Sequence, residues 1–151
     1  MEDNTDQKIV RLLLRDGRMS YTDLGKATGL STSAVHQRVR RLEQQRVIRG
    51  YTAVVDTEVM GFPLTAFVSV KPAEPNGLDE TPARLAALAE IEACHSVAGE
   101  ESYLLKVRVA SPCDLEQLLA KIRLVARVST KTTIVLSTPF EARPLPERPR
   151  G

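Results

Sequence analysis

The stretch from Gly29 to Glu43 restricts the fold of this chain more than any other feature of its sequence. Val35, Val39 and Leu42 recur at the spacing of one helical face, and Ser31 stands where a hydroxyl can cap the first turn. The opposite side of that helix is polar or basic, with Ser33, Gln37, Arg40 and Gln44 flanked by His36 and Arg41. The stretch therefore predicts a helix with one aliphatic face that packs on other helices and one face of hydrogen-bond donors.

Two shorter helices are predicted ahead of this stretch. The first covers residues 5–15 and is followed by Gly17, which is free to take the left-handed position after a helix end. The second begins after Ser20, whose spacing to Asp23 is that of a capping box, and ends at Gly29. Two short helices, a glycine turn and a longer helix make a helix-turn-helix pattern, in which the last helix enters the DNA major groove.

Positive charge that would favour binding to DNA is concentrated near this helix, while the net charge of the whole chain is small. The formal net charge is only +2, whereas residues 31–50 hold five arginines and one glutamate. Ser33, Gln37 and Arg40 are predicted to read base edges, because amide and guanidinium groups match adenine and guanine. Four further residues are predicted to contact phosphates or to flank the bases: Ser31, Thr32, His36 and Arg41.

Arg38 lies only about 60° from the aliphatic face by helical count. We therefore predict that it forms a structural ion pair with an acid of the first helix and does not contact DNA.

The hydrophobic period changes after Arg46. Strand-forming residues between Val47 and Val55 predict a short wing or a linking strand, and residues 56–63, with Gly61 and Pro63, predict a hinge. The predicted domains are a helix-turn-helix domain at 1–50, a linking strand and hinge at 51–63, a second domain at 64–139 and a Pro-rich tail at 140–151. The tail is expected to be extended or disordered.

The second domain is predicted to be βαββαβ. Its strands are expected at 64–71, 94–98, 103–109 and 130–136, with a loop at 72–77. One helix begins at Thr81-Pro82 and continues through Leu85, Leu88, Ala89 and Glu92, and the other begins at Ser111-Pro112. The fold class is therefore α+β, with an N-terminal, winged-helix-like helix-turn-helix and a C-terminal ferredoxin-like domain.

Several function classes find no support in the sequence. An apolar run long enough to cross a membrane is lacking, and the N-terminus is acidic, so we expect a cytoplasmic protein with reduced thiols at Cys94 and Cys113. His36 and His95 give no metal-ligand spacing, so neither a metal nor a cofactor is expected. Cys94 and His95 would point to opposite faces of a strand, which excludes a nucleophile–base pair, and Cys94 is expected to be buried.

Taken together, the chain resembles the Lrp/AsnC (feast/famine) family of bacterial and archaeal transcription regulators from about Asp3 to Pro139. The N-terminal motifs that carry the resemblance are Asp16-Gly17-Arg18, Leu24, Gly29-Leu30-Ser31, Arg38-Val39-Arg40-Arg41-Leu42-Glu43, Val47-Ile48 and Gly50-Tyr51. The C-terminal motifs are Cys94-His95-Ser96-Val97-Ala98-Gly99 and Tyr103-Leu104-Leu105-Lys106-Val107.

The resemblance implies a nucleoid-associated regulator of double-stranded DNA whose C-terminal, RAM-type domain forms homodimers that assemble further, often to octamers. It also implies a small-molecule effector, usually an amino acid, bound between dimers. The effector positions carried over to this sequence are Ala98, Gly99, Glu100, Ser102, Pro112, Thr133, Ile134 and Val135. Tyr103 is expected to pack in the core or an interface.

Two parts of the chain depart from the family pattern. The effector loop keeps Gly99 and Tyr103 but has Glu100, Glu101 and Ser102 where the family often has Asp-aromatic-Asp. Ser102 removes a carboxylate able to pair with an amino group, so either the effector differs here or it binds elsewhere. Arg46 replaces a glycine at the end of the recognition helix, where a left-handed conformation costs a non-glycine residue roughly 1 kcal/mol. Either the helix ends differently here, or Arg46 contributes something in return, such as a phosphate contact.

Two other functions remain open at this point. One is a metabolite-responsive assembly protein of ferredoxin-like fold that lacks specific DNA binding, and the other is a small thiol-dependent enzyme. We expect no enzyme and no catalytic residues. A DNA binder must lose affinity steeply as salt rises, which separates it from the assembly protein.

Overall fold

The computed structural model describes residues 4–73 and 80–146 of the 151-residue chain. It forms two compact units. Of the described residues, the first unit contains 4–54 and 140–146, and the second contains 55–73 and 80–139. None of the helices in the described ranges has the length and apolarity that crossing a bilayer requires.

The first unit is a three-helix helix-turn-helix, as predicted. Its helices are α1 (Asn4–Arg15), α2 (Tyr21–Thr28) and α3 (Thr32–Gln44). Their shared core consists of fully buried aliphatic side chains, namely Ile9, Leu24, Val35, Val39 and Leu42. Ser20 caps α2 and Ser31 caps α3, since each hydroxyl accepts a backbone N–H of the first turn. The predicted aliphatic face of α3 is therefore its packed face.

Two predictions about this unit are wrong. Gly17 does not take the left-handed conformation; the Asp16 carboxylate accepts the Arg18 N–H at 2.9 Å, and this side-chain turn ends α1 without it. The predicted wing or linking strand at 47–55 is also absent. Among the described residues, no backbone hydrogen bond pairs residues 49–55 with another segment, so strand-forming composition alone does not make a strand here. Residues 56–62 form a hydrogen-bonded turn.

The second unit is the predicted ferredoxin-like βαββαβ domain. Its elements are β1 (Leu64–Pro72), α4 (Thr81–Leu85), β2 (Ile91–Ser96), β3 (Tyr103–Val109), α5 (Pro112–Ala126) and β4 (Val128–Ile134). The strands pair antiparallel in the order β2-β3-β1-β4. Buried residues alternate along β1 and β3 and pack with α4 and α5 into one core on a single face of the sheet.

Element boundaries in this unit differ from the prediction. The helix after Pro82 ends at Leu85, because the Leu88 and Ile91 amides bond to carbonyls three residues back, and Glu92 lies in β2. β2 begins at Ile91, not Cys94, and β4 begins at Val128 directly after the helix cap. Most of the predicted loop at 72–77 lies outside the described residues, as does the tail beyond residue 146.

Candidate functional site

The exposed face of α3 carries the side chains predicted to read bases. Ser33, His36, Gln37 and Arg40 are all exposed, above the buried Val35–Val39–Leu42 face. Within residues 4–73 and 80–146, Gln37 and Arg40 make no side-chain hydrogen bond or ion pair. Their amide and guanidinium groups are therefore available to a ligand outside the chain.

The first turn of α3 is built for capping and remains open to solvent. The Ser31 hydroxyl accepts the Ala34 N–H at 3.2 Å and lies 3.1 Å from the Ser33 hydroxyl. Thr32 is exposed beside it. Because the remaining amides of this turn and the helix dipole favour negative charge, the turn suits a phosphate oxygen.

His36 lies against an aromatic ring that sequence reasoning did not single out. Its imidazole centroid is 5.3 Å from the ring centroid of Tyr21, at an interplanar angle of 57°. Tyr21 is the first residue of α2, and both rings are exposed. The sequence signal for this contact was an aromatic residue directly after the Ser20 cap, at the start of α2.

A buried carboxylate of α1 binds two arginines of α3. Asp6 is nearly inaccessible, and its oxygens lie 2.8 Å from Arg38 Nη1 and 2.5 Å from Arg41 Nη2. The predicted structural ion pair of Arg38 is therefore confirmed. Arg41, predicted to contact phosphate, shares the same acid, although half of its side chain remains exposed. Asp6 is the single acid of the helix predicted at 5–15, so the sequence pointed to it as the partner of Arg38, whereas its second contact, with Arg41, was not predicted.

Arg46 takes the left-handed conformation at the end of α3, with φ at 56°. The Arg46 N–H donates to the Glu43 carbonyl, and the Val47 N–H donates to the Leu42 carbonyl. The helix therefore ends with a left-handed residue, as it would with a glycine at position 46. This excludes the alternative that α3 ends without a left-handed residue there.

Tyr51 fixes the segment that follows α3. Its hydroxyl donates to Glu43 Oε1 at 2.9 Å. Burial raises the pKa of Tyr51 to about 12, and the bond to the Glu43 carboxylate adds to the rise. The phenol therefore stays protonated and keeps donating throughout the physiological pH range.

The carried-over effector positions fall into two groups at opposite ends of the sheet. The loop containing Ala98, Gly99, Glu100 and Ser102 joins β2 to β3, and the Ser102 N–H donates to the carbonyl of Val70. Thr133 and Ile134 pair with Phe67 and Ala66, and the Val135 N–H donates to Thr65, near the other end of β1. Pro112 follows the end of β3 that pairs with Leu64, so it belongs to this second group.

The separation of the two groups is too large for one small ligand to touch both. Ala66 and Val70 are four residue steps apart on β1, which is about 13 Å along the strand at about 3.3 Å per residue. One protomer therefore does not bring its predicted effector residues together. Glu100 is exposed in the loop, while Tyr103 packs on the core, as predicted.

A polar cluster of the second unit lies on β2 and β3. The Arg108 guanidinium donates to the Glu92 carboxylate and to Thr57 Oγ1, and Lys106 Nζ lies 3.5 Å from Glu92 Oε2. The hydrogen bond from Arg108 lowers the pKa of Glu92 below its ordinary value, against the opposing effect of partial burial. This cluster joins the turn at 56–62 to the sheet.

Cys94 and His95 occupy opposite faces of β2, since they pair with successive residues Leu105 and Leu104. The exclusion of a thiol–imidazole pair therefore holds. Cys94 is nevertheless exposed, which corrects the prediction of a buried thiol: β2 is an edge strand of the sheet. Neither cysteine forms a disulfide among the described residues.

Comparison with known proteins accounts for both units. The family model of the AsnC-type helix-turn-helix domain matches residues 3–43, and that of the Lrp/AsnC ligand binding domain matches residues 65–145. The chain belongs to the Lrp/AsnC family of transcription regulators. An HTH-type transcriptional regulator LrpA from Mycobacterium tuberculosis is 49% identical over 141 residues, covering 93% of this chain and 94% of its own length.

Two further comparisons agree with this family. The leucine-responsive regulatory protein of Haemophilus influenzae is 39% identical over 138 residues, covering 89% of this chain and 83% of its own length. The feast or famine regulatory protein of M. tuberculosis, solved in complex with L-methionine, is 48% identical with a TM-score of 0.92 and covers 95% of this chain and 97% of its own. The relatives of this Lrp/AsnC chain are named as regulators, so the thiol-dependent enzyme loses its support.

Proposed function

We propose that this Lrp/AsnC regulator reads duplex DNA through Ser33, Gln37 and Arg40 of α3. The observation that carries the proposal is the division of this helix. Its buried side is wholly aliphatic, and the donors of Gln37 and Arg40 on the other side are uncommitted among the described residues. A glutamine amide fits the adenine edge and a guanidinium fits the guanine edge in the major groove.

The first turn of α3 and its flanks position the helix on the phosphate backbone in this proposal. Ser31 and Thr32 present hydroxyls and amides at the positive end of the helix dipole. His36, paired with Tyr21, and Arg41, held by Asp6, flank the base-reading residues with restrained side chains. Restrained groups lose less conformational entropy when they bind, so they favour one docking register.

The effector is an amino acid in this proposal, and its site is completed by more than one copy of the chain. A relative has been solved with L-methionine, and the two groups of effector positions lie about 13 Å apart within one protomer. Glu100, exposed in the loop at 98–102, is the carboxylate offered to the ammonium group, because Ser102 has none.

The second unit provides the contacts of a homodimer and, through further contacts, of an octamer. The helices cover one face of the sheet, and Phe67 on the other face is 37% exposed. An aromatic side chain in the centre of an uncovered sheet face is suited to packing against a second copy. The protein then works where the chromosome lies, in the cytoplasm and associated with the nucleoid.

DNA selection with a matched variant tests the proposal. Genomic fragments are selected by the parent protein, and binding of the selected duplex is compared between the parent and the Gln37→Ala/Arg40→Ala double variant. We expect the variant to lose selectivity while its mass in solution stays unchanged. The assay is repeated with L-methionine and L-leucine, one of which should shift the binding midpoint or the assembly.

Two results would contradict the proposal. Retention of the selected motif by the double variant would remove the base-reading role of α3. Failure of the parent to select any motif at physiological salt would favour the alternative, an assembly protein without specific DNA binding.

A further inference from the structure

Arg46 holds a conformation that disfavours its side chain, at the end of the helix proposed to read DNA. Its φ of 56° is one of only three positive values among the described non-glycine residues. Glycine takes this conformation with no steric penalty, and strained positions of this kind concentrate at functional sites. The strain is a property of the backbone, so any benefit of arginine here must come from its side chain.

The charge of Arg46 is uncommitted, unlike that of two neighbouring arginines. Arg38 and Arg41 share the Asp6 carboxylate. Arg46 is exposed and, within the described part of the chain, forms no side-chain hydrogen bond or ion pair. Its guanidinium therefore offers a full positive charge and all of its donors to a partner outside the chain.

The length of α3 places Arg46 beyond the bases. The helix has 13 residues and is therefore about 20 Å long, whereas the major groove is about 12 Å wide. When the first turns of the helix contact base edges, its far end reaches the wall of the groove, which is phosphate. Arg46, in the turn directly after α3, lies at that end.

We infer that Arg46 is a phosphate-contacting residue, and that its guanidinium gains DNA affinity at the expense of fold stability. The inference rests on the proposed DNA binding and adds a residue to it. The contact is to the backbone, so it strengthens binding to every duplex and carries no sequence preference.

A glycine substitution changes two measurements in opposite directions, because relief of the strain raises fold stability and loss of the charge weakens DNA binding. Arg46→Gly should raise the midpoint of thermal unfolding by about 4 °C. It should also lower the slope of log K against log salt by about 0.9 for each bound copy of α3, and weaken binding about eightfold per copy at 0.1 M salt. Selected and unrelated duplexes should lose the same factor.

Arg127 supplies a matched control. It caps α5 in the second unit with φ at 53°, and it is exposed like Arg46. Arg127→Gly should therefore stabilise the protein comparably without changing the salt slope. Arg46→Lys keeps both the strain and the charge, so it should retain the thermal midpoint and the salt slope of the parent.

The experiment measures fluorescence anisotropy of labelled duplex at several KCl concentrations, beside thermal unfolding, for the parent and the three variants. A lower salt slope for Arg46→Gly alone supports the phosphate contact. If the parent binds normally and the salt slope of Arg46→Gly is unchanged, the phosphate contact is overturned and the proposed function still stands. The same conclusion follows if Arg127→Gly lowers the salt slope as much as Arg46→Gly does. Absence of salt-dependent binding by the parent overturns both.

Discussion

Asp6 is the residue on which the placement of two α3 arginines depends. Its carboxylate is nearly inaccessible, while the Arg38 and Arg41 side chains are 28% and 51% exposed. Removing the acid leaves two like charges next to each other in a partly buried site. We expect Asp6→Ala to lower the free energy of unfolding by about 2 kcal/mol, less than for a fully buried pair because solvent screens both arginines.

Urea denaturation followed by circular dichroism measures this change. Lys26→Ala is the control, since it removes one partner of the exposed Asp23–Lys26 pair and should alter stability by less than about 0.5 kcal/mol. Equal effects of the two substitutions would mean that the Asp6 cluster contributes no more than a surface pair.

Glu92 gives the second unit a pH dependence with a definite sign. The hydrogen bond from Arg108 lowers its pKa in the folded state below the ordinary value of 4.5. The stabilisation is therefore present above the unfolded-state pKa and is lost as the pH falls through the folded-state pKa. The stability difference between the parent and Glu92→Gln should be constant from neutral pH to about pH 5 and should shrink below that.

Chemical denaturation at a series of pH values from neutral to acidic measures this difference. In an Arg108→Gln background the same Glu92→Gln substitution should show much less pH dependence, because the hydrogen bond that lowers the pKa is gone. A difference that stayed flat through acidic pH in the parent background would contradict the assigned cause.

The turn between α2 and α3 depends on a glycine inside a helix. A Cβ added at Gly25 would lie 2.7 Å from the Leu30 carbonyl oxygen, and a backbone atom cannot move aside as a flexible side chain can. We expect Gly25→Ala to destabilise the helix-turn-helix by about 1–2 kcal/mol, because the overpacking exceeds the gain in helix propensity.

Gly17→Ala is the matched control for this element, since its added Cβ would meet nothing closer than 3.8 Å. It should leave the unfolding midpoint unchanged or raise it slightly. A Gly25→Ala variant as stable as Gly17→Ala would show that the α2–α3 turn relaxes at little cost.

The elements that sequence predicted well are those with both a periodic pattern and a local end signal. The helix α3 had its aliphatic face and the Ser31 cap, and α5 had Ser111 and Pro112, so both were predicted closely. The segment at 47–55 shows the limit of composition. It is rich in strand formers, but a strand exists only with a hydrogen-bonded neighbour, which single-chain patterning does not supply.

The exposed placement of the proposed base-reading residues was predictable from the sequence of one helix, whereas contacts between helices were predicted only in part. Ser33, Gln37 and Arg40 follow from the phase of α3. The pairing of Arg38 with an acid of the first helix was predicted, but the second arginine on Asp6, Arg41, was not, because it lies 35 residues away. The contact of Tyr21 with His36 was missed because it joins two helices. The location of the effector positions at two ends of the sheet likewise became known only from the register of the paired strands.

At the scale of the whole molecule, the proposed dimer binds DNA with two helix-turn-helix units acting together. Linking two units makes the second binding event intramolecular and raises the affinity about 10²–10⁴-fold over separate binding. Phe67→Glu places a charge on the uncovered face of the sheet and should convert the proposed dimer to monomer, with a loss of DNA affinity of about that size.

Analytical ultracentrifugation and DNA titration on the same samples measure this loss. Leu124→Glu is the control, because Leu124 is 79% exposed on α5, the layer on the other side of the sheet, and should leave the dimer intact. A Phe67→Glu variant that stays dimeric would place the interface elsewhere.

A symmetric dimer also fixes how its two half-sites are spaced on the duplex. Two identical recognition helices enter the major groove on the same side of the DNA only when their half-sites lie a whole number of turns apart, about 10.5 bp each. Inserting 5 bp between the half-sites turns one of them to the opposite side, so affinity should fall towards that of a single half-site. Inserting 10 bp should restore most of it, and a mobility-shift series over insertions of 0–10 bp would show this periodicity. Affinity that declined smoothly with insertion length would mean that the two units search for their half-sites independently.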